Sequence, residues 1–360
     1  MTVMFTIQHP AHVHFFKHAI WALEDEGREV HVVARDNEVA VDLLDSYEID
    51  HTVLANESGS LAQLAVVQTA YELRSIRYAL EVDPDVVAGV GGVTAAHTAA
   101  VVGAESVVFT DTEHATLINR ITHPVADYVA TPTCYTEDAG DNQVTYPSYH
   151  ELAYLHPDRF EPDTSAFEDL RVDPDDKFVV VRLSAWDSSH DVGASGVRDI
   201  HDAVDRLEAT GATVLITSEV PLPDDLERCR TLVPPEEIHQ LLAHADLFIG
   251  EGATMASECA VLGTPAVYMN SLTMGYTDEL EAEYDLLWNF NEDDEQDAAL
   301  ERAVAILEDA ESDRWEARRE RLLDDKQDAT GVILRMLGLA MNDETLGSDQ
   351  TARTKAVVDT

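Results

Sequence analysis

The stretch that decides the fold is ADLFIGEGATMASECAVLGTPAVYMN, Ala245 to Asn270. An apolar run, Leu247 to Gly250, reads as a buried strand. A loop of small residues follows, then a helix that begins near Thr254 and runs to Gly263, and a second strand from Pro265 to Met269. A strand, a helix and a strand in so short a span imply parallel pairing through a right-handed crossover. The loop lets backbone N–H groups at a helix N-terminus approach an anion, with the helix dipole adding attraction. Gly252, Ala253, Thr254 and Met255 are the candidate anion loop, and Glu258, further into the helix, is placed to accept from ribose hydroxyls. The alternative is an ordinary βα turn carrying an exposed acid.

Working outward, the same alternation covers most of the 360 residues. Upstream lie strand Lys177 to Leu183, helix Gly196 to Thr210, strand Thr213 to Thr217 and helix Pro235 to His244. The first half reads as strands at Val3–Ile7, Glu29–Ala34, His51–Leu54, Val86–Val90, Ser106–Phe109 and Tyr128–Ala130. Helices between them are expected at Phe15–Glu26, Glu38–Tyr47, about Leu61–Glu81 and Thr94–Val102. From Asp138 to Asp176 the periodicity lapses among prolines and acids. The fold class is therefore α/β, with two Rossmann-like domains facing across a cleft. The expected division is 1–165 and 166–341, followed by a disordered tail, 342–360. The helix from about Asp328 to Met341 is expected to pack back on the first domain.

Composition sets the chemical limits. Seventy acidic against 23 basic residues give a net charge of −47, a surface that repels nucleic-acid backbones. The acids are spread among periodic apolar segments, which excludes wholesale disorder. At molar salt, where the Debye length is about 3 Å, such self-repulsion is tolerable, so the charge reads as adaptation to a saline cytoplasm. Cys134, Cys229 and Cys259 form no CxxC pair and suit a reducing compartment. The N-terminus lacks the pattern of a signal peptide, and no run reaches the length of a membrane span, which leaves only peripheral membrane contact open.

Four further segments carry candidate chemistry. PDVVAGVGGVTAAHTAA, Pro84 to Ala100, sets Gly91 and Gly92 between a strand and a helix, a second anion-binding turn. QHPAHVHFFKHAI opens after the first strand, and His12 at a strand end suits a general base near neutral pH. FTDTEHA places Asp111 and Glu113 at another strand end, as orienting or acid–base carboxylates. VVRLSAWDSSHD brings Arg182, one of few cations, to a position where it can neutralise a leaving diphosphate, with Trp186, Asp187, His190 and Asp191 in the loop beyond. The plain readings are helix packing for the histidines and solvated surface for the acids. A rival class starts from the His12-x-His14 pair, which opens metal-dependent barrel hydrolases. Its further ligands would come from Asp111, Glu113, His114 and His190.

The Ala245–Asn270 segment resembles the donor-diphosphate loop of GT-B glycosyltransferases. It is similar to that of the N-acetylglucosaminyltransferase of lipid II synthesis and of the non-hydrolysing UDP-N-acetylglucosamine 2-epimerases. The resemblance implies that Gly252, Ala253, Thr254 and Met255 hold the diphosphate and that Glu258 holds the ribose. Gly91 and Gly92 resemble a glycine loop on the acceptor side of the lipid II enzyme, although the further glycines of that enzyme are absent. His12 occupies the place of the histidine in its first loop, again without the glycines. The whole chain also resembles an archaeal and bacterial family, of unsettled substrate, placed near the GT-B enzymes. The function implied is transfer of a sugar from a nucleotide donor, a UDP-sugar, to an unidentified acceptor, without metal or other cofactor. The alternatives are a nucleotide-sugar epimerase, a nucleotide-sugar-binding protein without catalysis, and the metal-dependent hydrolase.

Overall fold

The structure, a computed structural model, describes the chain except residues 57–60, 168–169, 184–199, 219–220, 293, 310–312, 344 and 348–360, and the side chains of 61–65 and 313. The chain forms two compact units, Met1–Tyr154 with the segment from Lys326 onward, and Leu155–Asp325.

The first unit runs β1 (Thr2–Ile7), α1 (Pro10–Asp25), β2 (Glu29–Arg35), α2 (Ala40–Ser46), β3 (Thr52–Ala55), α3 (Leu61–Val82) and β4 (Val86–Val90). It continues with α4 (Val93–Val102), β5 (Glu105–Phe109), α5 (Thr116–Thr122), β6 (Tyr128–Pro132) and β7 (Gln143–Tyr146). The strands make one parallel sheet in the order β3-β2-β1-β4-β5-β6-β7. Chain direction through the sheet reverses between β1 and β4, and in open α/β sheets the crevice outside such a switch point is where ligands bind. The central strands are apolar on both faces because helices cover both; Val3, Met4, Phe5, Val86, Val87 and Ala88 are fully buried.

The second unit runs β8 (Phe178–Leu183), α6 (Ile200–Glu208), β9 (Thr213–Ser218), α7 (Ile238–His244), β10 (Leu247–Gly250) and α8 (Ala253–Leu262). After these come β11 (Ala266–Met269), α9 (Gly275–Ala282), β12 (Leu287–Phe290), α10 (Gln296–Glu308) and α11 (Asp313–Asp325). Its parallel sheet has the order β12-β11-β10-β8-β9, with its switch point between β8 and β10.

A last helix, α12 (Ala329–Ala340), returns to the first unit, as expected. It packs on α1 and on a 3-10 turn, His150–Ala153. Thr330 Oγ1 donates to the Ala153 carbonyl at 2.7 Å, and Ser148 Oγ donates to that of Gln327 at 2.6 Å.

Several elements differ from their sequence reading. Helix α1 starts five residues before Phe15, because the His9 ring caps it by accepting from Ala11 N at 3.1 Å and Pro10 fits the first turn. Strand β7 lies inside the lapse: Gln-Val-Thr-Tyr is short and mixed, and it pairs only with β6 at a sheet edge. Beyond Met269 the chain is mostly helical, with one short strand, β12, that extends the second sheet. The first unit's initial segment closes at Tyr154, ahead of residue 165. At the start of the expected tail, Asp343 pairs with Arg28 at 2.8 Å and Leu346 is buried against Gly338, while 344 and 348–360 lie outside the described residues. Among the described residues no helix is long and apolar enough to cross a membrane. Two open sheets replace the closed barrel that the metal-hydrolase reading requires.

Candidate functional site

In the second unit, β10 delivers the chain to the switch point and Gly250 makes that approach possible. In register it faces Arg182 of β8, and a Cβ on Gly250 would lie 2.8 Å from the Arg182 Cβ and carbonyl oxygen. Arg182 is therefore brought beside the turn into α8. Gly252 is the N-cap of α8, at φ −90° and ψ 111°, with no side-chain cap, and nothing lies within 4 Å of a Cβ placed there. Ala253, Thr254 and Met255 are half-buried, and their N–H groups precede the first intrahelical bond, from Ala256 N to Gly252 O at 3.0 Å. Acidic side chains ordinarily favour a helix's first turn, yet α8 has none there, in a chain with 70. Such a turn can hold an anion.

Glu258, on the same helix, is not exposed as an ordinary surface acid. It is buried, and its Oε1 meets Nε2 of the equally buried His239, on α7, at 3.0 Å. Phe160 packs edge-on against the His239 ring, 6.3 Å between centroids. The pair ties α7 to α8 and fixes one carboxylate oxygen.

In the first unit, the residues after β1, β4 and β5 gather at the other switch point. Gly91 and Gly92 adopt φ of +63° and +56°, and Gly92 caps α4. A Cβ on Gly92 would lie 2.4 Å from Val108, so this glycine is needed for packing, whereas Gly91 has open space. Gln8, just past β1, donates from Nε2 to Thr94 Oγ1 at 3.3 Å, and Gln68 donates to the same oxygen at 3.1 Å. Polar side chains thus join the β1 and β4 turns.

Asp111 follows β5 and pairs with His150, whose Nδ1 lies 3.0 Å from Asp111 Oδ2; both side chains are largely buried. Burial alone would raise the Asp111 carboxyl, but the charge of His150 and its hydrogen bond outweigh it and hold the carboxyl below its ordinary value. Burial likewise opposes the charged form of His150, and Asp111 prevails, raising the imidazole above its ordinary value. The remaining ring nitrogen, Nε2, is buried with no hydrogen-bond partner. Tyr146 OH is also buried without a partner, and burial, followed by the charge of Asp111, pushes its hydroxyl well above the ordinary range. Orphaned buried polar atoms cost roughly 1–3 kcal/mol each and are concentrated where chemistry is done.

His12 behaves differently. Burial, then the charges of His9 and His150, hold its imidazole down at about 3, with Asp111 acting in the opposite sense. Its Nδ1 accepts from Gln8 N at 3.4 Å. In the neutral ring that bond leaves the proton on Nε2, so His12 presents a donor. His150 has the opposite arrangement: Nδ1–H points at Asp111, and Nε2 can take up or release a proton. Glu113 turns away, its Oε1 accepting from Thr136 N at 3.2 Å. His14 points elsewhere than His12, stacking on Tyr154 with its Nδ1 3.3 Å from Tyr47 OH. His114 is exposed, so the barrel-type ligand set does not converge. His190, like Trp186, Asp187 and Asp191, lies outside the described residues.

The structure therefore brings Asp111 and His12 into one electrostatic cluster and adds His150, which the sequence reading missed. His239 was missed as well. A separate cavity of about 730 Å³, lined by Lys177, His244, Asp246, Trp315 and Arg319 among others, opens where β8, β10 and β11 begin. That is the opposite end of the second sheet from the Gly252 turn.

Comparison with known proteins agrees with this layout. The sequence profile described as "Protein of unknown function (DUF354)" matches residues 1–336. An uncharacterized protein of Methanocaldococcus jannaschii, MJ0665, is 23% identical over 279 residues, covering 74% of this chain and 81% of that one. Among solved structures, the UDP-GlcNAc 2-epimerase from the same organism superposes with a TM-score of 0.62 at 14% identity, over 94% of this chain and 100% of that one. The glycosyltransferase VinC, in complex with dTDP, gives 0.63 at 16% identity, over 95% and 100%. At these identities the likeness is one of fold: the chain has the α/β architecture of the GT-B glycosyltransferases and the 2-epimerases.

Proposed function

The chain belongs to the DUF354 family, and from that premise we propose that it transfers a sugar from a UDP-linked donor to an acceptor hydroxyl. The observation that carries this reading is the start of α8, a helix N-terminus at a sheet switch point with no side-chain cap and no acid in its first turn, Glu251 just ahead of it being buried. In this reading the N–H groups of Ala253, Thr254 and Met255 hold the diphosphate, with Gly252 allowing close approach. Arg182 meets the charge that grows as the nucleoside diphosphate leaves. Glu258 accepts from the ribose hydroxyls, its carboxylate held in place by His239. Gly91 and Gly92 shape the acceptor side.

The proton chemistry is assigned to the first unit. The acceptor O–H gives its proton to His150 Nε2, which Asp111 orients, while His12 donates a hydrogen bond to a substrate oxygen. The acceptor oxygen forms its bond to the anomeric carbon as the bond from that carbon to the phosphate oxygen breaks. The electron pair leaves with UDP. Because helix N–H groups and Arg182 meet the diphosphate charge, the reading calls for no metal. Glu113 positions the Thr136 turn beside Asp111.

A second reading, nucleotide-sugar epimerisation, uses the same donor loop and the same acid–base pair, and the likeness in fold to a UDP-GlcNAc 2-epimerase favours it. Product analysis with a panel of UDP-sugars decides. Transfer releases UDP in step with a new glycoside, and epimerisation changes the sugar with no acceptor present. Tight UDP binding with no turnover across donors and acceptors would leave only the binding role.

A further inference from the structure

In a doubly wound sheet the helices that connect strands in one direction all lie on one face. In the first unit α3, α4 and α5 lead into β4, β5 and β6 in that order across the sheet, and α4 packs against both α3 and α5. The opposite face carries α1 and, beside it against β4 and β5, α12.

The outer surface of these three helices is unusual in two independent ways. Along α3, Val66, Leu73 and Leu80 repeat every seven residues and are 70%, 63% and 65% exposed. Val101 on α4 and Leu117, Ile118 and Ile121 on α5 continue the apolar surface. Seven of the thirteen large apolar side chains left exposed among the described residues thus lie on three adjacent helices. Scattered single residues of this kind are normal, but a contiguous group marks an interaction surface.

The second feature is charge. The three helices contain Glu72 and Glu81 against Arg74, Arg77 and Arg120, with His97 3.2 Å from Glu72. The chain as a whole carries 70 acids against 23 bases. Here the repulsion that any acidic partner would meet elsewhere is absent.

We propose that the α3–α4–α5 face seats a second copy of this chain. A two-fold contact is self-complementary, each patch meeting itself, so two copies meet at their least charged surfaces and keep the acidic remainder apart. The Arg77–Glu81 pair, 3.4 Å apart on the same helix, places both signs of charge along the seam. The size is adequate. At about 1.5 Å per residue and about 10 Å between neighbouring helices, the 22, 10 and 7 residues of α3, α4 and α5 give a footprint on the order of 600 Å², at the lower end of the roughly 600–1,000 Å² per partner of a stable interface. An anionic lipid surface satisfies the apolar group but must approach a chain of net charge −47, which disfavours it as the occupant.

The test is the mass of the full chain in solution, by light scattering in molar KCl. The parent is expected at twice the chain mass. Leu73→Glu on α3 and Leu117→Glu on α5 are each expected to fall to the single-chain mass, with a dissociation constant raised at least ~100-fold by a charge buried at the seam. Their circular dichroism should match the parent's. Leu232→Glu, at a site 81% exposed in the second unit, should leave the mass doubled. If Leu73→Glu loses the parent's spectrum, Leu73→Gln takes its place under the same criterion. A parent that stays single at high micromolar concentration, or variants that keep the doubled mass, would overturn the proposal. So would a single-chain parent that sediments with anionic phospholipid vesicles.

Discussion

Among the described residues each unit holds one buried carboxylate–imidazole pair at 3.0 Å, Asp111 with His150 in the first and Glu258 with His239 in the second. The two differ in what surrounds them. The Asp111–His150 pair joins the end of a strand to a 3-10 turn, and it leaves an orphaned ring nitrogen and an orphaned tyrosine hydroxyl beside it. The Glu258–His239 pair bolts two helices together under an aromatic ring. In the proposed reading the same chemical pair serves proton transfer where a nitrogen is left unsatisfied, and positioning where it links two packed helices.

That contrast can be broken by substitution. Asp111→Asn should slow turnover by roughly 10²–10⁴, the range for losing an oriented acid–base group, while UDP affinity stays near the parent's. Single-turnover rates beside calorimetric affinities would show it, and a variant that loses UDP binding instead would remove the distinction between the pairs. Glu258→Gln should do the reverse. It should weaken UDP by roughly 1.5–3 kcal/mol through the loss of a charge-assisted bond, with the rate at saturating donor little changed.

Smaller effects sharpen the picture of the turns. Gly92→Ala meets Val108 and a left-handed backbone, so it should cost roughly 1–3 kcal/mol, read as a lowered Tm, with Gly91→Ala milder. The pH dependence of stability is subtler. Asp111 is held below its ordinary 3.8 and His150 above its ordinary 6.5. Their contribution is therefore full between those values, and it is lost as pH falls through the first folded value or rises through the second. His12, held at about 3, resists a proton that the unfolded chain accepts below 6.5, so its contribution disappears as pH falls across that interval. Melting curves of His12→Asn should decline less steeply than the parent's on the acid side and match them on the alkaline side.

The fold was legible because its signals are local. Apolar runs such as Phe178–Val181 and Leu247–Ile249 stand out as buried parallel strands, and the glycines at 91, 92, 250, 252 and 263 mark where strands turn into helices or helices end. The loop before α8 could be read for the same reason. His150 could not, because its partner lies on a different strand end, and the segment around it, with β7, has no period to reveal where it folds back. Nor could Glu258 be seen turning inward, since a residue's face on α8 is set by α7, and helix α8 is apolar almost all round. The histidines after β1 pointed to His12, which shares its electrostatic surroundings with Asp111 and His150; which of its ring nitrogens carries the proton depends on one backbone N–H of Gln8, a detail no sequence pattern shows.

The central claim is that the start of α8 binds the diphosphate of a nucleotide sugar, and titration calorimetry of UDP against the parent and Gly252→Asp tests it most directly. The backbone at Gly252 suits any residue and the site is open. Aspartate there should cap α8 and raise stability by a few tenths of a kcal/mol, while its carboxylate excludes the diphosphate. The account predicts one UDP bound per parent chain and none by a variant that melts no lower than the parent. A parent that does not bind UDP, or a Gly252→Asp variant that binds it equally well, would contradict it.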